Sequence, residues 1–221
     1  MISLSTYIFS VISFIIVYAI GYVLYNTVYP IKRPYESFFL KLVLGILGIV
    51  LVYSIVRTRG NTIFLGLLLF LLLYLFTHRK RTPIQWDAIE YKQLTIAIAV
   101  LSLFFILIAF FIFGPSFYNK FLYHDFSFYA AIAHSLKAVG SENLHISLTE
   151  NIYDRSFYHY FELWLAAFFS LLYKTPTLTS LIQITQPLLL TIMSVGAYTV
   201  CNTYIPNKRL PRIICVISVF A

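Results

Sequence analysis

Residues 94–113, LTIAIAVLSLFFILIAFFIF, decide the fold class because they form an apolar run without a single charge. A run of about 18 or more apolar residues is typical of a transmembrane helix. The rest of the chain agrees, since its 221 residues are 60% hydrophobic and only 11% charged, whereas a soluble domain carries about 25% charged residues. We therefore predict an all-α fold, a polytopic transmembrane helix bundle.

Further apolar runs on both sides of this segment predict the other helices. They cover residues 7–29, 38–56, 62–77, 160–174 and 178–201. A last run at 213–221 is shorter than the about 20 residues that cross a bilayer, so we expect about six full helices and a truncated seventh in a partial chain. Pro187 predicts a kink in the sixth helix. Residues 1–93 form a three-helix membrane segment, and residues 94–221 form a second membrane region with an outward loop at 115–159.

The net charge of +8 comes from basic clusters at the predicted helix ends. Such clusters are topology signals and contacts for anionic lipid headgroups, so we exclude nucleic acid as a partner and expect membrane lipid. Placing the loop around Lys80 in the cytoplasm puts eight basic residues of the short loops and helix ends inside, Lys41, Lys92 and Lys174 among them. Five lie outside, including the Lys208–Arg212 cluster. The positive-inside rule therefore favours an outward loop at 115–159.

One long polar interval, residues 121–162, interrupts the apolar pattern with FLYHDFSFYAAIAHSLKAVGSENLHISLTENIYDRSFYHYFE. It contains four of the five histidines and five of the eight acidic residues. Apolar residues from Phe126 to Val139 follow the spacing of an amphipathic helix, with Asp125 at the N-cap position and Gly140 at the left-handed C-terminal position. We expect this helix to lie on the membrane surface, with His134 and Lys137 on its solvated face.

The same residues carry a resemblance to a known family. A helix, an outward loop opening with Tyr123-His124-Asp125, a surface helix ending at Gly140, and Tyr158-His159-Tyr160 before the next helix together resemble the GT-C superfamily of polytopic glycosyltransferases. The resemblance covers about residues 94–221 and is nearest to the bacterial protein O-mannosyltransferases and aminoarabinose transferases. It implies a sugar donor linked to polyprenyl phosphate and an acceptor on the outer face of the plasma membrane of a bacterium or archaeon.

By this resemblance Asp125 is the catalytic residue, acting as general base or orienting the acceptor. The chemistry agrees, because sugar transfer to a hydroxyl needs a carboxylate and the phosphate leaving group needs nearby positive charge or hydrogen-bond donors. The substrate-binding candidates are His124, Arg155, His159, Tyr160 and Glu162. We predict no metal site, although a divalent cation held by His124, Asp125 and His159 stays an open alternative.

Other interpretations of these residues also stay open. Asp125 is also explained as a simple helix cap, Tyr158–Tyr160 as an interfacial aromatic belt, and Glu162 as a carboxylate at headgroup depth. At the level of function, the alternatives are a non-enzymatic transporter or flippase for lipid-linked saccharides, and an envelope polysaccharide polymerase or ligase. Charged residues inside several helices would favour the transporter.

Overall fold

The computed structural model describes residues 3–28, 34–56, 71–72, 88–112, 121–139, 160–205, 209–210 and 213. Every regular element in these ranges is helical, which confirms the all-α prediction. The helices are α1 (Leu4–Val28), α2 (Pro34–Val56), α3 (Ala88–Ile112), α4 (Phe121–Val139), α5 (Tyr160–Tyr173) and α6 (Thr177–Tyr204). Within α6, Ser180–Thr185 is π-helical and Gln186–Tyr204 is again α-helical.

Four of these helices, α1, α2, α3 and α6, are long and apolar enough to cross a membrane. The prediction of a polytopic membrane protein is supported to that extent. Helix α5 has only 14 residues, a length of roughly 21 Å, which is less than the hydrocarbon thickness of about 30 Å. The predicted helix at 62–77 lies almost wholly outside the described residues, as does the run at 213–221, so the count of six full helices stays a prediction.

Helices α2 and α3 begin four and six residues earlier than the sequence pattern indicated. Helix α2 starts at Pro34 instead of residue 38, because proline suits the first helical position, where no N–H partner is needed. Helix α3 starts at Ala88 instead of residue 94. The polar residues Glu90 and Gln93 indicated a loop, but both side chains are largely buried against neighbouring helices.

Helices α1 and α2 form the tightest pair of the bundle. A Cβ atom on Gly21 would lie 1.5 Å from the backbone oxygen of Lys41, and one on Gly45 would lie 1.9 Å from that of Val17. Only glycine allows this close approach of two backbones, which is the usual way that membrane helices gain contact area. At the other end of α2, Tyr53 packs edge-on against Trp164 and Phe168 of α5.

Helix α4 begins at Phe121, four residues before the predicted N-cap. Asp125 therefore lies within the helix, and the N-cap prediction is wrong. The buried face of α4 carries Ala130, Ala133 and Leu136, and α4 packs against α5 and the first turn of α6. The amphipathic pattern is thus explained by contact with the bundle, whereas the position of α4 relative to a membrane surface stays a prediction.

Ring contacts identify which helix ends lie together. Tyr173 at the end of α5 stacks on Phe9 near the start of α1, with ring centroids 4.4 Å apart, and Tyr7 packs against Phe105 near the end of α3. We call this the loop end, because residues 113–159 follow α3 in the chain. At the opposite end, Tyr35 at the start of α2 meets Tyr198 near the end of α6. We call this second end the basic end.

This arrangement corrects the predicted topology at two places. Lys174 was expected on the same side as Lys41 and Lys92, but it follows Tyr173 at the loop end. The Lys208–Arg212 cluster was expected on the opposite side, but α6 ends beside the start of α2. The physical reason is that α5 does not run from one end of the bundle to the other, so α6 runs in the direction opposite to the one predicted.

Candidate functional site

The first polar centre of the bundle joins α5 to α6 through Glu162 and Gln186. The side-chain amide of Gln186 donates a hydrogen bond to Glu162 Oε1. Glu162 is half-buried. At 1.5 Å per residue, Gln186 lies roughly 13 Å along α6 from its first residue, Thr177. The carboxylate therefore lies well inside the bundle, and an acidic group at such a depth is a functional-site candidate by default.

The backbone of α6 changes its hydrogen bonding directly beside this pair. Over Ser180–Thr185 the helix is π-type, and the Gln186 N–H donates to the oxygen of Leu181, five residues back. Pro187, the next residue, has no N–H to continue the ladder. The kink predicted at Pro187 stays a prediction, and the π-helical turn lies directly before it. Single π-helical turns inside α-helices occur frequently at functional sites.

The π-helical segment carries several buried polar side chains. Ser180 Oγ, Gln183 Oε1 and Thr185 Oγ1 are buried and have no hydrogen-bond partner within the described part of the chain, and the same holds for Ser10 Oγ of α1. Buried polar groups are normally paired, and an unpaired one costs about 1–3 kcal/mol. The interior of the bundle near Glu162 therefore carries several hydrogen-bonding groups among apolar side chains.

Asp125, the predicted catalytic residue, lies in the second turn of α4 with a half-buried side chain. Within the described residues it takes part in no hydrogen bond or ion pair. Asp125 and Glu162 lie on two helices that pack against each other.

The other predicted site residues are described only in part or not at all. His124 and Tyr160 lie in the first turns of α4 and α5, respectively, and their side chains lie outside the described part. Arg155 and His159 also lie outside the described residues. The structure thus describes two of the six candidate side chains, Asp125 and Glu162. Among the described residues no three His, Cys, Asp or Glu side chains come close enough to hold a metal ion.

Lys137 has a role that the sequence pattern did not indicate. It was expected on a solvated face, but its ammonium group donates to Ser170 Oγ at 3.1 Å and to the Ser170 carbonyl at 3.5 Å. Ser170 Oγ in turn donates to the Thr175 carbonyl, and the Thr175 N–H donates back to the Ser170 carbonyl. A cation at the C-terminal end of a helix is favourable, so Lys137 caps α5 and ties α4 to the α5–α6 turn.

A second polar centre joins α2 to α3 near the basic end. Lys41 forms an ion pair with Glu90, and both side chains are nearly enclosed, with exposed fractions of 5% and 12%. The same ammonium group lies 4.7 Å from the centre of the Tyr22 ring and 5.4 Å from that of Tyr25. Lys41 was expected as a cytoplasmic flanking residue, so its position inside the bundle is a correction.

Sequence reasoning found Glu162 but missed Gln186, Lys41 and Glu90 as its equivalents in the interior. A usable signal was present, because each is a polar residue within a few residues of a long apolar run.

Comparison with family models, with curated proteins and with solved structures found no match to this chain. The functional argument therefore depends on the geometry of these two centres and of Asp125.

Proposed function

We propose that the protein is a membrane glycosyltransferase of the GT-C type. It moves a sugar from a polyprenyl-phosphate-linked donor to an acceptor on the outer face of the membrane. Its reacting face is the loop end, where α4 packs on α5 and α6. Asp125 acts as general base or orients the acceptor, and Glu162 binds substrate.

One observation carries this proposal. Asp125 is a half-buried carboxylate that has no hydrogen-bond or ion-pair partner among the described residues, whereas Glu162 is held by the Gln186 amide. Two carboxylates in different environments on neighbouring helices suit two different tasks, one in proton transfer and one in binding. The predicted phosphate and sugar contacts, His124, Arg155, His159 and Tyr160, belong to the same stretch of chain and complete the proposed site.

The distribution of positive charge supports an outward loop end. We assign the basic residues of the short loops and helix ends by the helix ends that they adjoin. Lys174 and the enclosed Lys41 then leave the inner group of eight, and the three basic residues of the Lys208–Arg212 cluster join it, which gives nine inside. Only Arg57, Arg59 and Lys174 remain outside, which is three. The positive-inside rule then favours a plasma-membrane protein with residues 113–159 outside.

A second candidate function is a transporter or flippase for lipid-linked saccharides. The observation that favours it is the pair of polar centres inside the bundle, Lys41 with Glu90 and Glu162 with Gln186. Intramembrane ionisable residues commonly line substrate or ion pathways. In this function the loop end only binds the saccharide, and Asp125 takes part in no proton transfer.

A transfer assay separates the two functions. Membranes containing the full chain are incubated with radiolabelled polyprenyl-phosphate sugars, and labelled acceptor is counted for wild type, Asp125→Asn, Glu162→Gln and the control Glu36→Gln at the basic end. We expect Asp125→Asn to lower the rate about 100-fold or more, as for the loss of a general base, and Glu36→Gln to leave it unchanged. Labelled saccharide that crosses sealed vesicles without any transfer to acceptor contradicts the transferase and supports the transporter.

A further inference from the structure

A cavity at the basic end has no role in the proposed transfer reaction. It lies between α2, α3 and α6 and has a volume of about 370 Å³. Most of its wall is apolar and includes Phe38, Ile96, Ala97, Val100 and Val195. The volume is within the range of small-molecule sites, roughly 300–1,000 Å³.

The side-chain amide of Gln93 is a polar group in this apolar wall that lacks a hydrogen-bond partner among the described residues. Its side chain lines the cavity, the residue is only 9% exposed, and both Nε2 and Oε1 lack a hydrogen-bond partner within the described part of the chain. A buried amide with neither atom paired destabilises the folded state through two desolvation penalties, one for the donor and one for the acceptor. Such a group in a native protein calls for an explanation, and a bound ligand with a hydrogen-bonding group at this depth supplies one.

Lys92 gives the cavity a charged mouth. It precedes Gln93 in the chain, lines the same cavity and is exposed. In the sequence, further basic residues cluster next to the helix ends found here, at 32–33, 79–81 and 208–212. A ligand that fits therefore has an anionic group at the mouth, a hydrogen-bonding group slightly deeper and an apolar chain beyond it.

We propose that this cavity binds one anionic glycerophospholipid of the surrounding membrane. Its phosphate pairs with Lys92, an ester carbonyl accepts a hydrogen bond from Gln93 Nε2, and an acyl chain lies along Ile96, Ala97 and Val100. Basic pockets between transmembrane helices are suited to anionic headgroups. An isoprenoid phosphate fits less well, because its chain carries no polar atom below the phosphate and would leave the Gln93 amide unpaired. The proposal does not depend on the transfer reaction.

Native mass spectrometry of the full chain tests this site. The detergent-solubilised protein is titrated with phosphatidylglycerol and with phosphatidylcholine of the same acyl chains, and the bound fraction of each is measured. We expect wild type to prefer phosphatidylglycerol about fivefold or more. Lys92→Gln should abolish that preference, and Gln93→Leu should weaken the binding of both lipids about tenfold, the loss expected for one hydrogen bond. Lys174→Gln, which removes an exposed lysine at the loop end, is the matched control.

A second measurement distinguishes a lipid site from a merely structural effect of the substitutions. In lipid-free detergent, Gln93→Leu should raise the temperature of unfolding, because it removes an unpaired amide from an apolar wall, while it still weakens lipid binding. The proposal is overturned if the Gln93→Leu and Lys92→Gln variants bind both lipids as tightly as wild type does. It is also overturned if the control Lys174→Gln weakens lipid binding as much as those two substitutions do. It is also overturned if a polyprenyl phosphate binds as tightly as phosphatidylglycerol and is insensitive to Gln93→Leu, since the occupant is then an isoprenoid.

Discussion

Lys41 shows how a single residue couples three helices of this bundle. Its stem leaves α2, its ammonium group pairs with Glu90 of α3, and the rings of Tyr22 and Tyr25 of α1 lie within 5.4 Å of that group. An ammonium group without these partners would carry a large desolvation cost in an apolar interior. The ion pair and the ring contacts each offset part of that cost.

This coupling leads to a prediction about the ion pair. Lys41→Met leaves the Glu90 carboxylate buried without its partner, so we expect it to lower the free energy of unfolding by about 3–5 kcal/mol. The double variant Lys41→Met/Glu90→Gln should recover much of that loss, because no uncompensated charge remains. Thermal unfolding in detergent, followed by circular dichroism, measures both. Lys174→Met, which changes an exposed lysine outside the ion pair, is the control and should stay within about 0.5 kcal/mol. Equal losses in the single and double variants would refute the coupling.

The candidate site was predictable at the level of residue type but only partly at the level of partners. Glu162 could be singled out because an acidic residue next to an apolar run is costly. Its partner Gln186 is 24 residues away in the chain, and nothing in the local pattern links the two. The prediction that Lys137 lies on a solvated face was wrong for a related reason. Helical periodicity indicates the polar face of α4 but not which neighbouring helix that face contacts.

Among the elements, the pairing of α1 and α2 depends most directly on residue size. Gly21 and Gly45 each face the backbone of the other helix, which lies too close for any side chain. Gly48 differs, because a Cβ atom there would meet side-chain atoms of α1 and no backbone carbonyl: the tip of Leu24 at 2.7 Å and Ile20 Cγ2 at 3.3 Å. Leu24 can change its rotamer, whereas a backbone carbonyl cannot move without moving its helix.

We therefore predict different costs for the same substitution in this helix pair. Gly21→Ala should force α1 and α2 apart and destabilise the protein at or above the upper end of the about 1–3 kcal/mol typical of overpacking. Gly48→Ala should cost less than about 1 kcal/mol. The comparison uses the unfolding temperature of each variant in the same detergent. If both alanine variants unfold at the same temperature, the close backbone crossing is not what holds the pair together.

Helix existence was easier to predict than helix ends. Each of the four long helices matches a predicted apolar run, because run length alone decides whether a segment can span the hydrocarbon core. The starts of α2, α3 and α4 were placed too late, by four to six residues. Polar residues and proline are compatible with the first turns of a helix. The apolar pattern therefore begins later in the chain than the helix itself.

At the scale of the whole molecule, one short helix changes the direction of everything after it. The segment at 160–174 was predicted to be a full crossing, which reversed the expected direction of α6. In the structure α5 starts near Gln186, inside the bundle, and ends beside Phe9 at the loop end. Helix α6 then runs from the loop end to the basic end. The length of the apolar run at 160–174 could not reveal this, because a short run suits a tilted span as well as a partial one.

Both proposed sites depend on this arrangement, in which Lys174 and Arg209 lie at opposite ends of the bundle. The most direct test is cysteine labelling in intact cells, with Lys174→Cys or Arg209→Cys introduced singly into a parent that carries Cys201→Ala and Cys215→Ala. A membrane-impermeant maleimide should label Lys174→Cys at once and Arg209→Cys only after the cells are permeabilised. Labelling of both positions from the same side would contradict the account of the fold. Labelling of Arg209→Cys alone would keep the two ends but place the loop end in the cytoplasm, against the proposed outer-face reaction.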